Sequence, residues 1–594
     1  MPVYDRRDIP LQQAQIALER RMSKFFLEDH NSYPGHPEVA QDASSQMIKQ
    51  LHTNPITEEH LTHEVRSIYD GLVKVEKKCI EVINCFSQLS PETELSRDQW
   101  STVISVHRML LHEHHDFFLA SQHPSASSAV KHLAEKYAMP ARMWRYGIHS
   151  PLEFLRKRLP IALDHMVAFI YLSYSMMTLL LESVPYFRGT WIECLGDLAR
   201  YRMAVETTDV TDRDIWARVS KYWYNQDTDK CPETGRIQHH LAVLSRPDAL
   251  QQLFYYTKAL ISVRPFANAR VSMAQLFNPI LSAPTTELFT PVISFVAAHG
   301  ALFMRMPNEN FVARSKLFLS NLRQEVSQLG REGQQGVYIT SCNIAAIFQY
   351  GDNDGALATE FTFDEKTREN AYVISRQWAS TRAPINPNNH HYTDIASQYA
   401  FSASSLTFHT LIIILGQVGD SGLQPSVHAS MAFVWCLTLN PAAIQRLEPL
   451  VPWTTLANYL NTLLLPDTNI EKIESKSFPR IEGFSSQQLP EDFLIRGQTW
   501  SRIYYPAQFF DETDIEDDRP LIGEQSIMLP RRHRCLWLGV RIASFSRWMT
   551  YDHTRRFTPT RLAYEYSPIA QSTDHLSGNI YLASGPFDQD MEGA

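Results

Sequence analysis

The chain of 594 residues is 44% hydrophobic and 11% aromatic, enough apolar material for a large core built from more than one cooperating part, which excludes a disordered polypeptide. A formal charge of −9 with a pI near 6.2 excludes a nucleic-acid binder that works through overall charge, so any contact with phosphate must rest on a local patch. The seven cysteines, at 79, 85, 194, 231, 342, 436 and 535, form no C-x-x-C pair and read as reduced core residues of an intracellular protein.

The first thirty residues mix charge with apolar side chains and show no secretory signal. They predict an amphipathic helix over roughly 11–26, and NSYPGHPEVAQDASS then breaks into a linker, so residues 1–56 read as an N-terminal helix and flexible segment. From 57 onward Val65, Ile68, Leu72, Val75, Cys79, Val82 and Phe86 repeat at helical spacing, and DQWSTVISVHRMLLHEHHDFFLASQHP follows as a second helix. Its HEHHDFF places His112, His114, His115 and Asp116 close in sequence. This is not H-E-x-x-H, and histidines near a helix C-terminus, complementing the macrodipole, are the simpler account, so no metal and no cofactor are expected.

A positive island comes next: Lys131, Lys136, Arg142, Arg145, Arg156, Lys157 and Arg158 against only Glu135 and Glu153. Either it is an ordinary solvated face, or it is a surface for the phosphates of a nucleic acid or of a phosphorylated peptide. LPIALDHMVAFIYLSYSMMTLLLESV is apolar nearly all round and is predicted to lie centrally in a bundle. Two stretches, 165–181 and 395–419, invite a membrane reading, but both are laced with Ser, Thr, Tyr or Gln and read as buried helices, so no membrane partner is expected.

WIECLGDLARYRMAVE is an amphipathic helix with Trp191, Leu195, Leu198, Ala199 and the stem of Arg202 on one stripe, and Glu193, Asp197, Arg200 and Tyr201 on the free face. Two further helices follow. Ile237, His240, Leu241 and Leu244 point inward on the first, Leu250, Leu253, Phe254, Thr257, Leu260 and Ile261 on the second, and Pro265 stops the run. GREGQQG near 330–336 marks a soft boundary, dividing 57–330 from a helical-hairpin part at 331–560, with 561–594 as a tail. AAHG at 297–300 and GDSG at 419–422 echo all-β proteases but lie in helical contexts, and neither G-x-S-x-G nor a P-loop is present.

The words GDLARYR, GR-x-x-HHLAVL, and LFYYTKAL followed by RPFANAR resemble the telomerase-associated Est proteins and the SMG proteins of nonsense-mediated mRNA decay, and in particular the fungal proteins with an Est-type DNA/RNA-binding domain. LPEDFLIRGQTWSRIYYPAQFF at 489–510 is another such phrase, so the resemblance spans roughly residues 60–560. It implies an all-α protein: a 14-3-3-like, tetratricopeptide-like domain followed by helical hairpins. The spacing W-x3-L-G-x4-Y departs from the usual tetratricopeptide pattern.

What else the resemblance implies concerns phosphate. G-D-x-x-R-Y would make Arg200 and Tyr201 phosphate contacts, whereas the plain reading of Arg200 is a surface ion pair with Asp197. The family's second cation does not align onto a basic residue here, and the nearest cation is Arg108. His239 stands where the family has an asparagine that contacts the peptide backbone. The resulting expectation is a non-catalytic adaptor of nucleus and cytoplasm, binding a phosphorylated protein partner in RNA surveillance or telomere maintenance. The alternative is direct binding of RNA or single-stranded DNA, through Arg142, Arg145, Arg156, Lys157 and Arg158 or through the basic residues from 531 to 556.

Overall fold

The computed structural model describes residues 57–284, 290–331, 333–357, 361, 367–381, 395–479, 488–510 and 525–577. The helix expected at 11–26, the linker to residue 56 and residues 578–594 lie outside them. Among the described residues the fold is all-α apart from one two-stranded ribbon.

Helix α1, Glu58–Ser87, buries Leu61 and, from the stripe marked by the sequence, Val65, Ile68, Leu72, Cys79 and Val82 against α2, Arg97–Ser121, while Val75 and Phe86 are half-buried. Ser96 starts α2 with a capping box. Its hydroxyl accepts from Gln99 N at 3.2 Å, and Gln99 Oε1 accepts from Ser96 N at 2.8 Å, so two otherwise orphaned donors are satisfied. Short helical turns run from Ser128 to Arg142, and a π-helical stretch, Met143–His149, continues into α3, Ser150–Arg156.

Helix α4, Leu163–Ser183, corrects one expectation. It lies at the flank of the bundle, with Met166, Phe169, Ile170, Met177 and Leu180 turned inward and Tyr171 and Leu179 each 47% exposed. A helix apolar on all sides offers no stripe to read, so its burial is decided by its neighbours, and α2, α3 and α5 reach only one side of it. By length and composition α4 and residues 397–415 are each sufficient to cross a membrane; the second is 83% buried within the chain and the first 44%.

Helices α5, Arg188–Val205, and α6, Val210–Lys230, pack side by side, and α4 covers another side of α5. Asp209 caps α6 through Thr211 N at 2.8 Å and Asp212 N at 3.2 Å. Helices α7, Gly235–Leu244, and α8, Ala249–Ile261, form a pair; Asp248 caps α8, and the chain leaves it before Pro265 as predicted. Then come α9, Ala269–Ser282, α10, Pro291–Phe303, α11, Asn308–Arg331, and α12, Gln334–Ile347. Helix α12 is buried along its length between α8 and α14, Ile395–Leu415, which follows α13, Thr367–Thr381.

Among the remaining helices are α15, Gln424–Thr438, α16, Trp453–Leu463, α17, Pro490–Ile495, α18, Met528–Ala543, and α19, Arg561–Gln571, with shorter ones at Pro441–Leu447 and Ile470–Glu474. Between the last two, β1, Met549–Tyr551, pairs antiparallel with β2, Phe557–Pro559, placing Thr550 opposite Thr558.

One apolar cluster extends from Tyr224 to Leu576 and passes straight through residue 330. The glycine-rich break there is a tight turn between α11 and α12, with Gly333 at φ 53. Residues 561–577, expected as tail, belong to this core. Tyr566, Ile569 and Leu576 are buried, and the Tyr566 hydroxyl donates to Glu448 at 3.0 Å. Glu448, itself without exposed surface, also accepts from Arg547 at 2.9 and 3.0 Å and from Trp548 Nε1 at 2.9 Å, beneath the stacked rings of Trp453 and Trp548. A buried carboxylate is tolerated only when its oxygens are satisfied in this way.

Candidate functional site

Gly196 lets α5 and α6 touch. A Cβ there would meet the Tyr224 ring at 2.5 Å, and Ser220 Oγ donates to the Gly196 carbonyl at 2.8 Å. The close approach drives the Tyr224 hydroxyl to Asp197 Oδ1 at 2.7 Å, where Arg200 Nη2 also arrives at 2.9 Å, and Arg200 Nε donates to the Tyr224 oxygen at 3.4 Å. On the far side Tyr224 stacks on His240 with the rings 5.2 Å apart. Burial pushes the Asp197 carboxyl up, but His240, Arg200 and the Tyr224 bond outweigh it and hold it below the usual range.

The face read as free is therefore not free. Asp197 and Tyr201 are buried, and the Arg200 side chain is 27% exposed. The reason is that α5 has neighbours on two sides, and its polar residues are buried by bonding to one another and to α6.

Tyr201 points toward α3. Its hydroxyl donates to Glu153 Oε1 at 2.8 Å, and Arg156 grips the same carboxylate through Nε at 3.1 Å and Nη2 at 2.7 Å. The Arg200 guanidinium lies over the Tyr201 ring at 5.5 Å. Arg156, by its hydrogen bond, is the chief cause of a Glu153 carboxyl held below its ordinary value; burial opposes it and Tyr201 reinforces it. A guanidinium fork and a phenol on one anion, with a second guanidinium on the flank, form an arrangement that fits phosphate oxygens as well as a carboxylate. The second cation of this group is Arg156, whose side chain is 54% exposed. Arg108, exposed on α2, shares no hydrogen bond or ion pair with it. The sequence signal for this was the spacing of Glu153 three residues before Arg156 on one helical turn.

His239 is half-buried, with Nε2 3.0 Å from Ser272 Oγ, packed against Tyr256 and Phe266. Burial first, then His240 and Arg200, depress it to about 4, so it is neutral at pH 7, with Nε2 turned toward Ser272 on α9.

The nucleic-acid candidates divide. Arg145, Arg156 and Lys157 are exposed. Arg142 is tied to Glu76 by two bonds of 3.0 Å and to Tyr69. Arg158 is only 4% exposed and donates to the carbonyls of Phe86 and Ser90 at 2.7 and 2.9 Å, clamping the loop after α1, so it is not part of a solvated face. From 531 to 556, Arg531, Arg534 and Arg547 are interior, paired with Glu491, Asp492 and Glu448, while Arg555 and Arg556 are exposed.

His114 is fully buried and depressed to about 3, chiefly by burial. Among the described residues, Glu193, Asp197 and His240 bring ligand atoms within 4.8 Å of one another. Arg236 already pairs with the first carboxylate and Arg200 with the second, so the trio reads as an ion-pair network.

No protein-family model matches the sequence. Over 195 residues, 31% of this chain, it is 25% identical to "EST/SMG-like protein 2" of Saccharomyces cerevisiae. The match covers 16% of the length of that protein.

Proposed function

We propose that the chain is a non-catalytic, Est/SMG-like adaptor that receives a phosphorylated segment of a partner protein on the surface formed by Arg156, Tyr201 and Arg200. The observation that supports this is the Glu153 carboxylate, held by the Arg156 fork and the Tyr201 hydroxyl with Arg200 alongside. An incoming phosphate takes the place of Glu153. The distant likeness to an Est/SMG-like protein supports the family part of this reading; a role in RNA surveillance or telomere maintenance, in nucleus and cytoplasm, is part of the proposal.

The test is capture of phosphoserine peptides from a degenerate library by the full chain. Arg156→Glu should abolish capture without unfolding the protein, since Arg156 is exposed, and Glu153→Gln should strengthen it by vacating the fork. Capture that survives phosphatase treatment of the library, or that is unchanged in Arg156→Glu, overturns the reading.

The exposure of Arg145, Arg156 and Lys157 supports a second reading, direct contact with single-stranded nucleic acid. Its mark is steep weakening with salt, reduced in the triple charge reversal.

A further inference from the structure

The walls of α6, α7, α8, α12 and the segment around α17 enclose a half-open cavity of about 250 Å³, away from the Glu153 carboxylate. At its wall stands Gln238, without exposed surface, and neither its amide nitrogen nor its oxygen has a hydrogen-bond partner among the described residues. Buried carboxamides are normally satisfied, so this one is set for something that enters the cavity. Beside it Lys258 is 2% exposed, with Nζ on the Phe493 carbonyl at 3.2 Å. Arg496, also 2% exposed, pairs with Asp229, and Lys221 stands exposed at the rim.

Among the described lining residues, Asp229 is the one carboxylate and Arg496 already pairs with it, so the positive charges beyond that pair are Lys258 and Lys221. Burial, followed by Arg496, depresses Lys258 to about 7, with Asp229 opposing, so the ammonium form is costly until an anion arrives.

We propose that this cavity binds the phosphate group of a small ligand, with Lys258 and, from the rim, Lys221 neutralising the dianion and the Gln238 amide donating to it. A phosphomonoester carries about −1.5 to −2 charges and three acceptor oxygens, which match the uncompensated charge and the unused donors; a single carboxylate matches neither. The site shares no residue with the surface proposed for the phosphorylated partner, so either can fail alone.

The test is thermal unfolding and titration calorimetry of the full chain with inorganic phosphate and, in a second arm, with free O-phosphoserine, against sodium chloride at equal ionic strength. Saturable stabilisation is expected, with affinity reduced tenfold or more in Lys258→Met and in Gln238→Leu and retained in Arg156→Glu. Tighter binding of phosphoserine than of phosphate identifies an organic phosphate as the ligand, and the reverse identifies the free ion. Should either variant not fold, protection of Lys258 by phosphate from trace acetylation in the unmodified chain gives the same answer, read by peptide mass. The proposal is overturned if phosphate acts equally on the chain and on the two cavity variants, the result for a water-filled cavity. It is also overturned if Arg156→Glu removes the effect, or if phosphate leaves the acetylation of Lys258 unchanged.

Discussion

Arg200 shows how far a polar residue's role depends on what its neighbours bury. Read as a solvent-facing partner of Asp197, it would contribute about 0–1 kcal/mol. In the structure its removal strands a carboxylate that is 9% exposed, and Arg200→Glu adds a second negative charge beside it. Stability should therefore fall by roughly 2 kcal/mol or more, less than the loss typical of fully buried pairs because Arg200 keeps some solvent, and urea unfolding would register it. This is why Arg156, not Arg200, is the residue with which to test anion binding. Lys258 makes the matching prediction for pH. Its folded value of about 7 lies below the ordinary 10.5. The unfolded chain thus binds the proton more tightly, and the penalty is fully present below pH 7 and relieved as pH rises toward 10.5. Stability of the chain relative to Lys258→Met should climb across that window, and a flat difference between the two curves would contradict the assignment.

At the scale of the helix, periodicity identified α5 and its apolar stripe but not its second covered side. A one-sequence pattern separates apolar from polar positions. It cannot show that Tyr224, on α6, will supply the hydroxyl that lets Asp197 be buried. The same holds for Arg158, which belongs to a run of basic residues in sequence and to the loop after α1 in space. In the GDLARYR phrase Gly196 is the contact point of two helices, and Gly196→Ala should force Tyr224 aside. A loss of about 1–3 kcal/mol is expected, together with weaker stacking of Tyr224 on His240, followed by thermal unfolding and by the histidine signals in NMR.

For the molecule as a whole, the all-α class was implied by the resemblance, and the inward stripes of α1, α5, α7 and α8 could be read from spacing, because each stripe depends on residues close in the chain. The extent of the core could not, because it depends on contacts between distant helices. Helix α8 packs on α12, and α12 on α14, so the side chains of Leu253 and Phe254 share one interior with those of Val337 and Leu406. A chain beginning at Gly333 would expose the α12 surface that α8 covers. Such a fragment should lack a cooperative thermal transition by circular dichroism, whereas a sharp transition would show that α12 onward folds alone.

Because Glu153 sits one helical turn from Arg156, its carboxylate is presented to that guanidinium at an effective molarity that no diffusing monoanion can match. Acidic stretches of other proteins, however abundant, exchange one carboxylate for another and gain nothing. A phosphate brings nearly twice the charge and a third oxygen, enough to displace the tethered group. On the proposed reading the surface acts as a threshold detector, and glutamate introduced in place of a phosphorylated serine should fail to mimic it, a distinction that competition by phosphorylated and glutamate-substituted peptides would reveal directly.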